Sequence, residues 1–246
     1  MTKLKVMTWN VLYKEDADKI LELIKQIKPD ILCCQEITTD SYVNPGRNVP
    51  EEASKIIDGD YRYLSVLPML DNLPGNMGNA IISRFPIKQE RQILVQKGGA
   101  DINYSAQNRG YIEVVIEVDG EPLTIGTTHL SYVNGFVETE PRIQEADKLV
   151  DFIKDNEQRF MIMGDFNSSP SSSTIKKMEK KLKNVGPNYK ELTFTTKPFK
   201  NGNFEVNGLE WRLDYIFASP DIKVLSSEII ETDASDHLPI VTLVEI

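Results

Sequence analysis

At five separate points the chain places a carboxylate, amide or imidazole directly after an apolar, strand-like run. Five motifs show this construction: Thr8-Trp9-Asn10, Gln35-Glu36, Thr127-Thr128-His129-Leu130, Met163-Gly164-Asp165-Phe166-Asn167 and Ser235-Asp236-His237-Leu238-Pro239. Both histidines of the 246-residue sequence belong to this set. Strand ends that meet at one edge of a sheet gather such groups into one site. The pattern predicts a metal-dependent hydrolase.

Glu36 follows the apolar run Ile31–Cys34 and Gln35. An ionised carboxylate at the end of a buried strand is costly unless it is paired or binds a cation. Magnesium prefers one or two carboxylates and keeps its other positions for water and phosphate oxygens. Glu36 is therefore a candidate Mg²⁺ ligand, and an ordinary ion-paired glutamate is the alternative.

Asp165 and Asn167 are two residues apart, so an extended segment places both side chains on one face. A carboxylate there can take a proton from an attacking water while the amide orients the water or a phosphate. Asp214 lies among strand residues and could accept the Nδ1 proton of a histidine. His237, like His129, could stabilise a phosphoryl oxygen or protonate a leaving group.

Each of these residues alone has a structural explanation, such as an Asx turn or a satisfied core histidine. The shared construction of the motifs favours chemistry, because a structural explanation would have to hold at each one independently. Arg84 and Arg109 flank predicted strands and are candidate phosphate contacts, since guanidinium matches phosphate oxygens. Surface ion pairs are the alternative for both.

Composition and charge limit the classes of function. The formal net charge of −9 argues against a broad basic surface for gripping duplex DNA, although a local metal can supply positive charge. No apolar run approaches 18 residues, so we expect no membrane anchor. Cys33 and Cys34 are adjacent in one strand and point to opposite faces, which fits a reducing, cytoplasmic compartment. We expect a single domain over residues 1–246, and a monomer.

The periodicity predicts strands that alternate with a few helices. The predicted strands are Leu4–Thr8, Ile31–Cys34, Tyr61–Leu67, Asn79–Ser83, Ile87–Val95, Tyr111–Val118, Glu121–Thr128, Phe160–Met163, Trp211–Ala218, Lys223–Glu231 and His237–Glu245. The predicted helices are Glu15–Lys28, Glu51–Ile57, Val137–Asp155 and Ser173–Leu182. Asp119-Gly120 indicates a hairpin. The pattern predicts two packed, mixed sheets with helices outside.

Long polar loops connect several of these elements. They are Thr38–Val49, Pro68–Gly78, Lys97–Asn108, Ser131–Glu140 and Lys197–Glu210. Binding residues are often carried on such loops over a rigid scaffold. We expect most of the loops to rim the metal, with Arg109, Tyr132 and Trp211 as candidate substrate contacts.

Taken together, the motifs resemble those of the endonuclease/exonuclease/phosphatase superfamily of metal-dependent, DNase I-like phosphoesterases. The likeness runs from Thr8-Trp9-Asn10 to Ser235-Asp236-His237-Leu238-Pro239 and includes Gly78-Asn79-Ala80-Ile81-Ile82-Ser83-Arg84 and Leu213-Asp214-Tyr215. The motifs occur in the family's order and are specific together, although each is weak alone. The resemblance implies a four-layered α/β sandwich with the site at one edge, and Asn79 in its motif is a further candidate substrate contact.

The resemblance also implies a role for each site residue. Asn10 and Glu36 would hold Mg²⁺ or Mn²⁺, and Asp236 would support the metal region. Asp165 would activate or position the nucleophilic water, and Asn167 would orient the phosphate. Asp214 would orient His237. His129 and His237 would stabilise the pentacoordinate phosphate.

The motifs do not define the substrate. Thr128-His129-Leu130 looks more like the sphingomyelinase, deadenylase and DNase I-like branches than like abasic-site enzymes. Three hypotheses stand: a phosphodiesterase with nucleic acid placed slightly ahead, a phosphatase or phosphodiesterase for small or lipid-derived phosphoesters, and a catalytically silent scaffold. The acidic charge supports the second, the sequence shows no obvious exposed apolar hairpin for a membrane, and the intact polar set argues against the third.

Overall fold

Two six-stranded sheets dominate the fold. The computed structural model describes residues 1–66, 76–98, 108–156 and 158–246. The first sheet contains β1 (Lys3–Asn10), β2 (Ile31–Thr39), β3 (Asp60–Ser65), β4 (Asn76–Ser83), β13 (Lys223–Ile229) and β14 (Ile240–Glu245). The second contains β5 (Ile87–Gln96), β6 (Arg109–Val118), β7 (Glu121–His129), β8 (Phe160–Asp165), β9 (Lys183–Asn184) and β12 (Asp214–Ala218). A separate hairpin consists of β10 (Phe199–Asn201) and β11 (Phe204–Val206).

Both sheets are mixed. The strand order is β13-β14-β1-β2-β4-β3 in the first sheet and β5-β6-β7-β8-β12-β9 in the second. β1 and β2 are parallel, as are β7 and β8, and the other neighbours are antiparallel. Parallel neighbours end at the same edge, so each sheet brings two strand carboxyl ends together.

Within the described part of the chain, four α-helices cover the outer faces of the sheets. These are α1 (Ala17–Ile27), α2 (Val49–Ile57), α3 (Glu140–Ile153) and α4 (Ser173–Glu179). One apolar core lies between the sheets, a second lies under α1 and α2, and a third lies under α3 and α4. The layers therefore run helices, sheet, sheet, helices, and the predicted four-layered α/β sandwich is confirmed.

Local sequence explains how α1 begins and ends. The Asp16 side chain accepts a hydrogen bond from the Asp18 amide, and Lys28 closes the helix in the left-handed conformation. Ile20 and Ile24, one turn apart, are buried against the first sheet. Each buried side chain of this size contributes about 1.5–3 kcal/mol of transfer free energy.

Several predicted boundaries differ from the structure. The predicted loop Lys197–Glu210 contains the β10–β11 hairpin, and the strand predicted from Trp211 begins at Asp214. The strand predicted from His237 begins at Ile240, and the helix predicted from Val137 begins at Glu140.

Parts of other predicted segments fall outside the described residues. This applies to Leu67 of the predicted strand Tyr61–Leu67, to residues 68–75 of the loop Pro68–Gly78, and to residues 99–107 of the loop Lys97–Asn108. Among the described helices, none is both long and apolar enough to cross a membrane. Cys33 and Cys34 are free, and they pack on opposite faces of the first sheet.

Candidate active site

The polar strand ends meet at one edge of the stacked sheets. Asn10 ends β1, His129 ends β7 and Asp165 ends β8. Asp214 is opposite Asp165 across the β8–β12 pair, and His237 precedes β14, which is antiparallel to β1. The mixed strand directions therefore bring carboxyl ends and amino ends to the same place.

Glu36 reaches this edge because β2 is irregular there. The β2–β4 register shifts between Cys34 and Ile37, and Glu36 has a positive φ of 57°. Such a bulge re-aims a side chain that a regular strand would point into a sheet face. The Glu36 carboxylate accepts hydrogen bonds from Asn10 Nδ2 at 3.3 Å and from the Tyr13 amide at 3.4 Å.

Asp165 is at the centre of the site. Its Oδ2 accepts a hydrogen bond from Asn10 Nδ2 at 3.1 Å and lies 3.4 Å from His129 Nε2 and 3.7 Å from His237 Nε2. Its Oδ1 accepts the Asn167 amide at 2.8 Å. Burial raises the pKa of Asp165 to about 7. A carboxyl group with such a pKa is suited to proton transfer near neutral pH.

His237 and Asp214 are in direct contact. His237 Nδ1 lies 2.8 Å from Asp214 Oδ2, which leaves Nε2 facing Asp165. Burial opposes protonation of the imidazole, but the carboxylates of Asp214 and Asp165 outweigh it and raise the pKa of His237 to about 10. The imidazolium is thus a hydrogen-bond donor at neutral pH.

His129 has the opposite electrostatic character. Burial and the Arg109 guanidinium lower its pKa well below the usual range, so the imidazole is neutral. Arg109 begins β6, is 3% exposed, and also lowers the pKa of Glu36 through its charge. The positive charge of Arg109 therefore acts on the edge where the carboxylates gather, which suits an anionic ligand.

Glu36 and Asp236 form the more solvent-accessible side of the site. Burial raises the pKa of both groups, and the charge of Asp236 adds to the shift at Glu36. A carboxylate whose ionisation is disfavoured by burial and by a second carboxylate is suited to a divalent cation. The Asn10 side chain points Nδ2, and not Oδ1, toward Glu36. For Oδ1 to bind a metal beside Glu36, the side-chain amide would have to rotate by half a turn.

A second set of possible metal ligands lies deeper. Atoms of Asp165, Asp214 and His237 come within 4.8 Å of one another. Asp214 Oδ2 and His237 Nδ1 share a hydrogen bond, which leaves Asp214 Oδ1 and His237 Nε2 as the atoms of this pair that could coordinate a metal. Glu36, Asn10 and Asp236 are the other residues of the site that could hold a metal.

Asn167 lies on a tight turn after β8. Its φ of 46° is in the left-handed region, which asparagine tolerates better than most residues. Its Nδ2 donates to the Leu130 carbonyl at 2.8 Å, which links the segments that follow β7 and β8. The same bond fixes the amide plane beside Asp165.

Apart from Arg109, the predicted substrate contacts lie in three different places. Arg84 lies at the other end of the first sheet, paired with Asp30 at 3.0 Å, so the structure does not bring it to the site. Asn79 lies opposite the Glu36 bulge, but it is fully buried and its Nδ2 donates to the Gly110 carbonyl.

Tyr132 and Trp211 belong to an aromatic cluster beside the site, together with Phe136, Phe194, Phe199, Phe204 and Leu213. The cluster touches the catalytic edge through Phe194, whose ring centroid lies 4.8 Å from that of His237. Tyr132 and Trp211 are half-buried, so parts of their surfaces face solvent.

Sequence reasoning missed several residues that support the site. Ser235 Oγ donates to the Asn10 carbonyl at 2.7 Å and accepts the His237 amide at 3.3 Å. Lys197 pairs with Glu15 and lowers the pKa of Asp236 through its charge. Arg142 on α3 is buried behind the β8 turn. Only Ser235 lay within a motif, so only it had a local signal.

The fold and this edge define a known class of protein. The chain belongs to the endonuclease/exonuclease/phosphatase family, whose model matches residues 7–237.

Among curated proteins, sphingomyelinase C of Bacillus cereus is 30% identical over 166 residues, covering 60% of this chain and 49% of the relative. A phospholipase C of Staphylococcus aureus is 29% identical over 160 residues, covering 59% of this chain and 47% of the relative. These shares mean that the alignments span about half the length of the curated relatives.

The human nocturnin catalytic domain, solved with bound sulfate, matches with a TM-score of 0.74 at 21% identity, covering 99% of this chain and 93% of that one. The structural match shows the fold.

Proposed function

We propose that the protein hydrolyses a phosphodiester with water as the nucleophile and a divalent metal ion, Mg²⁺ or Mn²⁺, as cofactor. The observation that carries the proposal is the position of His237, fixed by Asp214 at Nδ1 and facing Asp165 at Nε2. A protonated imidazole and a carboxyl group of raised pKa, side by side, supply a donor for phosphoryl oxygen and an acceptor for the proton of water.

The protein's own groups perform separate parts of the reaction. Asp165 takes a proton from the attacking water as the water oxygen bonds to phosphorus, and Asn10 and the Asn167 backbone amide hold its two carboxylate oxygens. The P–O bond to the leaving alcohol breaks, and the alcohol oxygen takes a proton from solvent. His237 donates a hydrogen bond to a phosphoryl oxygen, which stabilises the charge that builds up on the pentacoordinate phosphorus.

His129, which is neutral, donates from Nε2 to another phosphoryl oxygen, and Arg109 attracts the anionic diester into the site. A cation held by Glu36, with Asn10 and Asp236 beside it, would supply further positive charge to the phosphoryl oxygens.

For the substrate we favour a small or lipid-derived phosphodiester, which reverses the order expected from sequence. The net charge of −9 disfavours a long polyanion, and the curated relatives are named as a sphingomyelinase and a phospholipase. Nucleic acid is the second candidate, because the half-buried rings of Tyr132 and Trp211 beside the site are of the kind that stack on bases. A cytoplasmic location stays a prediction.

A substrate panel tests the proposal. Bis-p-nitrophenyl phosphate, sphingomyelin and phosphatidylcholine in mixed micelles, single-stranded RNA, single-stranded DNA and duplex DNA would each be incubated with Mg²⁺, Mn²⁺ or a chelator. We expect metal-dependent turnover of the generic diester and of at least one lipid. Faster turnover of a nucleic acid than of every lipid would favour the second candidate.

His237→Ala is the control for a contaminating hydrolase, because it removes the proposed donor from the same purified protein. Activity that survives this change, or survives the chelator, would contradict the mechanism. Confirmed metal binding without turnover of any substrate would favour the scaffold hypothesis.

A further inference from the structure

We infer that Arg142 and Glu145 on α3 form a buried positioning pair that holds the two catalytic turns in register; the inference deepens the proposed function and rests on it. Arg142 is 2% exposed and Glu145 is 1% exposed. Two charges on adjacent turns of one helix, both removed from water, are costly unless paired and hydrogen-bonded. Their partners are backbone and hydroxyl groups of the catalytic turns.

Arg142 grips the turn after β8 on both sides of Asn167. Its Nη2 donates to the Phe166 carbonyl and, at 2.8 Å, to Ser168 Oγ. Asn167 between them has a φ of 46°. A residue in the left-handed region persists when its surroundings over-determine it, and the guanidinium fixes the residues on either side. The conformation of this turn places the Asn167 backbone amide against Asp165 Oδ1.

Glu145 grips the segment after β7. Its carboxylate accepts the Ser131 amide at 2.9 Å and the Ser131 hydroxyl. Ser131 lies two residues beyond His129. The Arg142 Nη1 atom lies 3.7 Å from Glu145 Oε2, so an ion pair within α3 connects the two sets of hydrogen bonds.

The pair therefore sets the distance between His129 and Asp165. The Asn167–Leu130 hydrogen bond links the two turns directly. Arg142 and Glu145 link them a second time through α3. The charge of Arg142 also contributes to the lowered pKa of His129, which places the guanidinium within electrostatic range of the site. No part of Arg142 needs to touch substrate for this role.

Arg142→Lys is the decisive variant. Lysine keeps the charge that Glu145 needs, but its ammonium nitrogen is one bond nearer the backbone than Nη2. It therefore cannot donate to both the Phe166 carbonyl and Ser168 Oγ from the position that Nη2 occupies. We expect kcat on the generic diester to fall about 10- to 100-fold with KM nearly unchanged, since small misplacement of reacting groups carries costs of that order. Ser168→Ala removes one of the two acceptors of Arg142 Nη2 and should give a smaller fall in the same direction.

Arg91→Lys is the matched control. Arg91 donates from Nε to the buried Glu113 at 2.6 Å on β6, so it is also an arginine–glutamate pair, but it lies on the edge strand β5. The Arg91 side chain is more exposed than that of Arg142, so Arg91→Lys should keep kcat per folded molecule. If Arg142 had a merely structural role, Arg142→Lys would lose thermal stability and keep kcat per folded molecule as well. That outcome would overturn the inference.

Amide hydrogen exchange gives a readout that does not depend on activity. The Leu130 amide donates to the Asp165 carbonyl, and the Phe166 amide donates to the Leu213 carbonyl. In Arg142→Lys, these amides and that of Asn167 should exchange faster, while the amides of β2 and β4 keep their protection. Faster exchange without any diesterase activity in the parent protein would disprove the proposed function and leave the positioning pair intact. Unchanged exchange at these amides would disprove the pair. If Arg142→Lys does not fold, Ser168→Ala carries both measurements.

Discussion

The Nδ1 atom of His237 lies 2.8 Å from Oδ2 of Asp214, although the two residues belong to different sheets. Asp214 begins β12 in the second sheet, and His237 precedes β14 in the first. The hydrogen bond therefore closes the site across the sandwich. A relative movement of the two sheets would change the distance between the His237 imidazole and the Asp214 carboxylate.

Replacing Asp214 with asparagine tests this relationship. Asparagine keeps the size of the side chain but removes the charge that favours the imidazolium and its orientation. We expect Asp214→Asn to lower kcat on the generic diester by about 10²-fold or more, with little change in KM. Steady-state kinetics of the parent and variant give the comparison. Asp221→Asn, at an exposed carboxylate that accepts the Arg159 amide, should leave kcat unaltered. Equal losses in the two variants would count against the orienting role.

The two carboxylate roles can be separated by metal titration. Glu36→Gln removes a charge from the proposed ligand set, so its lost activity should be partly recovered at high Mg²⁺ or with Mn²⁺, which tolerates less ideal ligation. Asp165→Asn removes the proton acceptor, and added metal should not restore a loss of about 10²–10⁴-fold. His237→Ala should behave like Asp165→Asn.

The measurement is turnover against metal concentration for all three variants and the parent. Rescue of Asp165→Asn, without rescue of Glu36→Gln, would require the two roles to be exchanged.

Most of the site could be predicted because its signals are local. Asn10, His129 and Asp165 each follow an apolar strand, and a strand end is visible in the order of residues. Arg84 has the same local signal but lies at the far edge, because β4 is antiparallel to β2. Strand direction is set by tertiary pairing, which a single motif does not contain.

The buried charged residues behind the site could not be predicted for a similar reason. The apolar periodicity of α3 predicts that five residues point inward: Ile143, Ala146, Leu149, Val150 and Ile153. Ala146, Leu149 and Ile153 are buried and Ile143 and Val150 are half-buried, but Arg142 and Glu145 are buried as well. Their partners are non-local backbone groups, so helical periodicity cannot reveal them. The β10–β11 hairpin was missed because its strands are three residues long, too short for alternation to show.

The aromatic cluster should affect substrate choice without affecting the metal. Tyr132 packs edge to face on Phe136 and Phe199 and is half-buried. We expect Tyr132→Ala to raise KM several-fold for substrates with apolar or aromatic groups, because a contact surface is lost, while the Mg²⁺ concentration for half-maximal activity stays the same.

Tyr61→Ala is the control, since Tyr61 is also half-buried but lies on the edge strand β3. The comparison uses KM for bis-p-nitrophenyl phosphate and for the best substrate of the panel, with a metal titration beside each. A parallel loss of substrate binding and metal activation in Tyr132→Ala would contradict the assignment.

Glu138 offers a test of the fold that is independent of catalysis. Its carboxylate accepts four hydrogen bonds, from the amides and hydroxyls of Ser173 and Thr174 in the first turn of α4. Burial opposes the ionised form, but these bonds outweigh it and lower the pKa of Glu138. A lowered folded-state pKa means that the stabilisation is complete above the unfolded-state pKa of about 4.3, and is lost as pH falls through the folded-state value. Glu138→Gln should therefore reduce the free energy of unfolding at pH 7 by about 1 kcal/mol, because solvent screening limits the contribution of a partly exposed carboxylate.

The difference in the free energy of unfolding between parent and variant should narrow as the pH falls below about 4. Urea titrations between pH 7 and pH 3.5 measure that gap, and Glu121→Gln at an exposed position should show none at either end. A gap that is the same at both pH values would mean that the size of the side chain, and not its charge, ties α4 to the segment before α3.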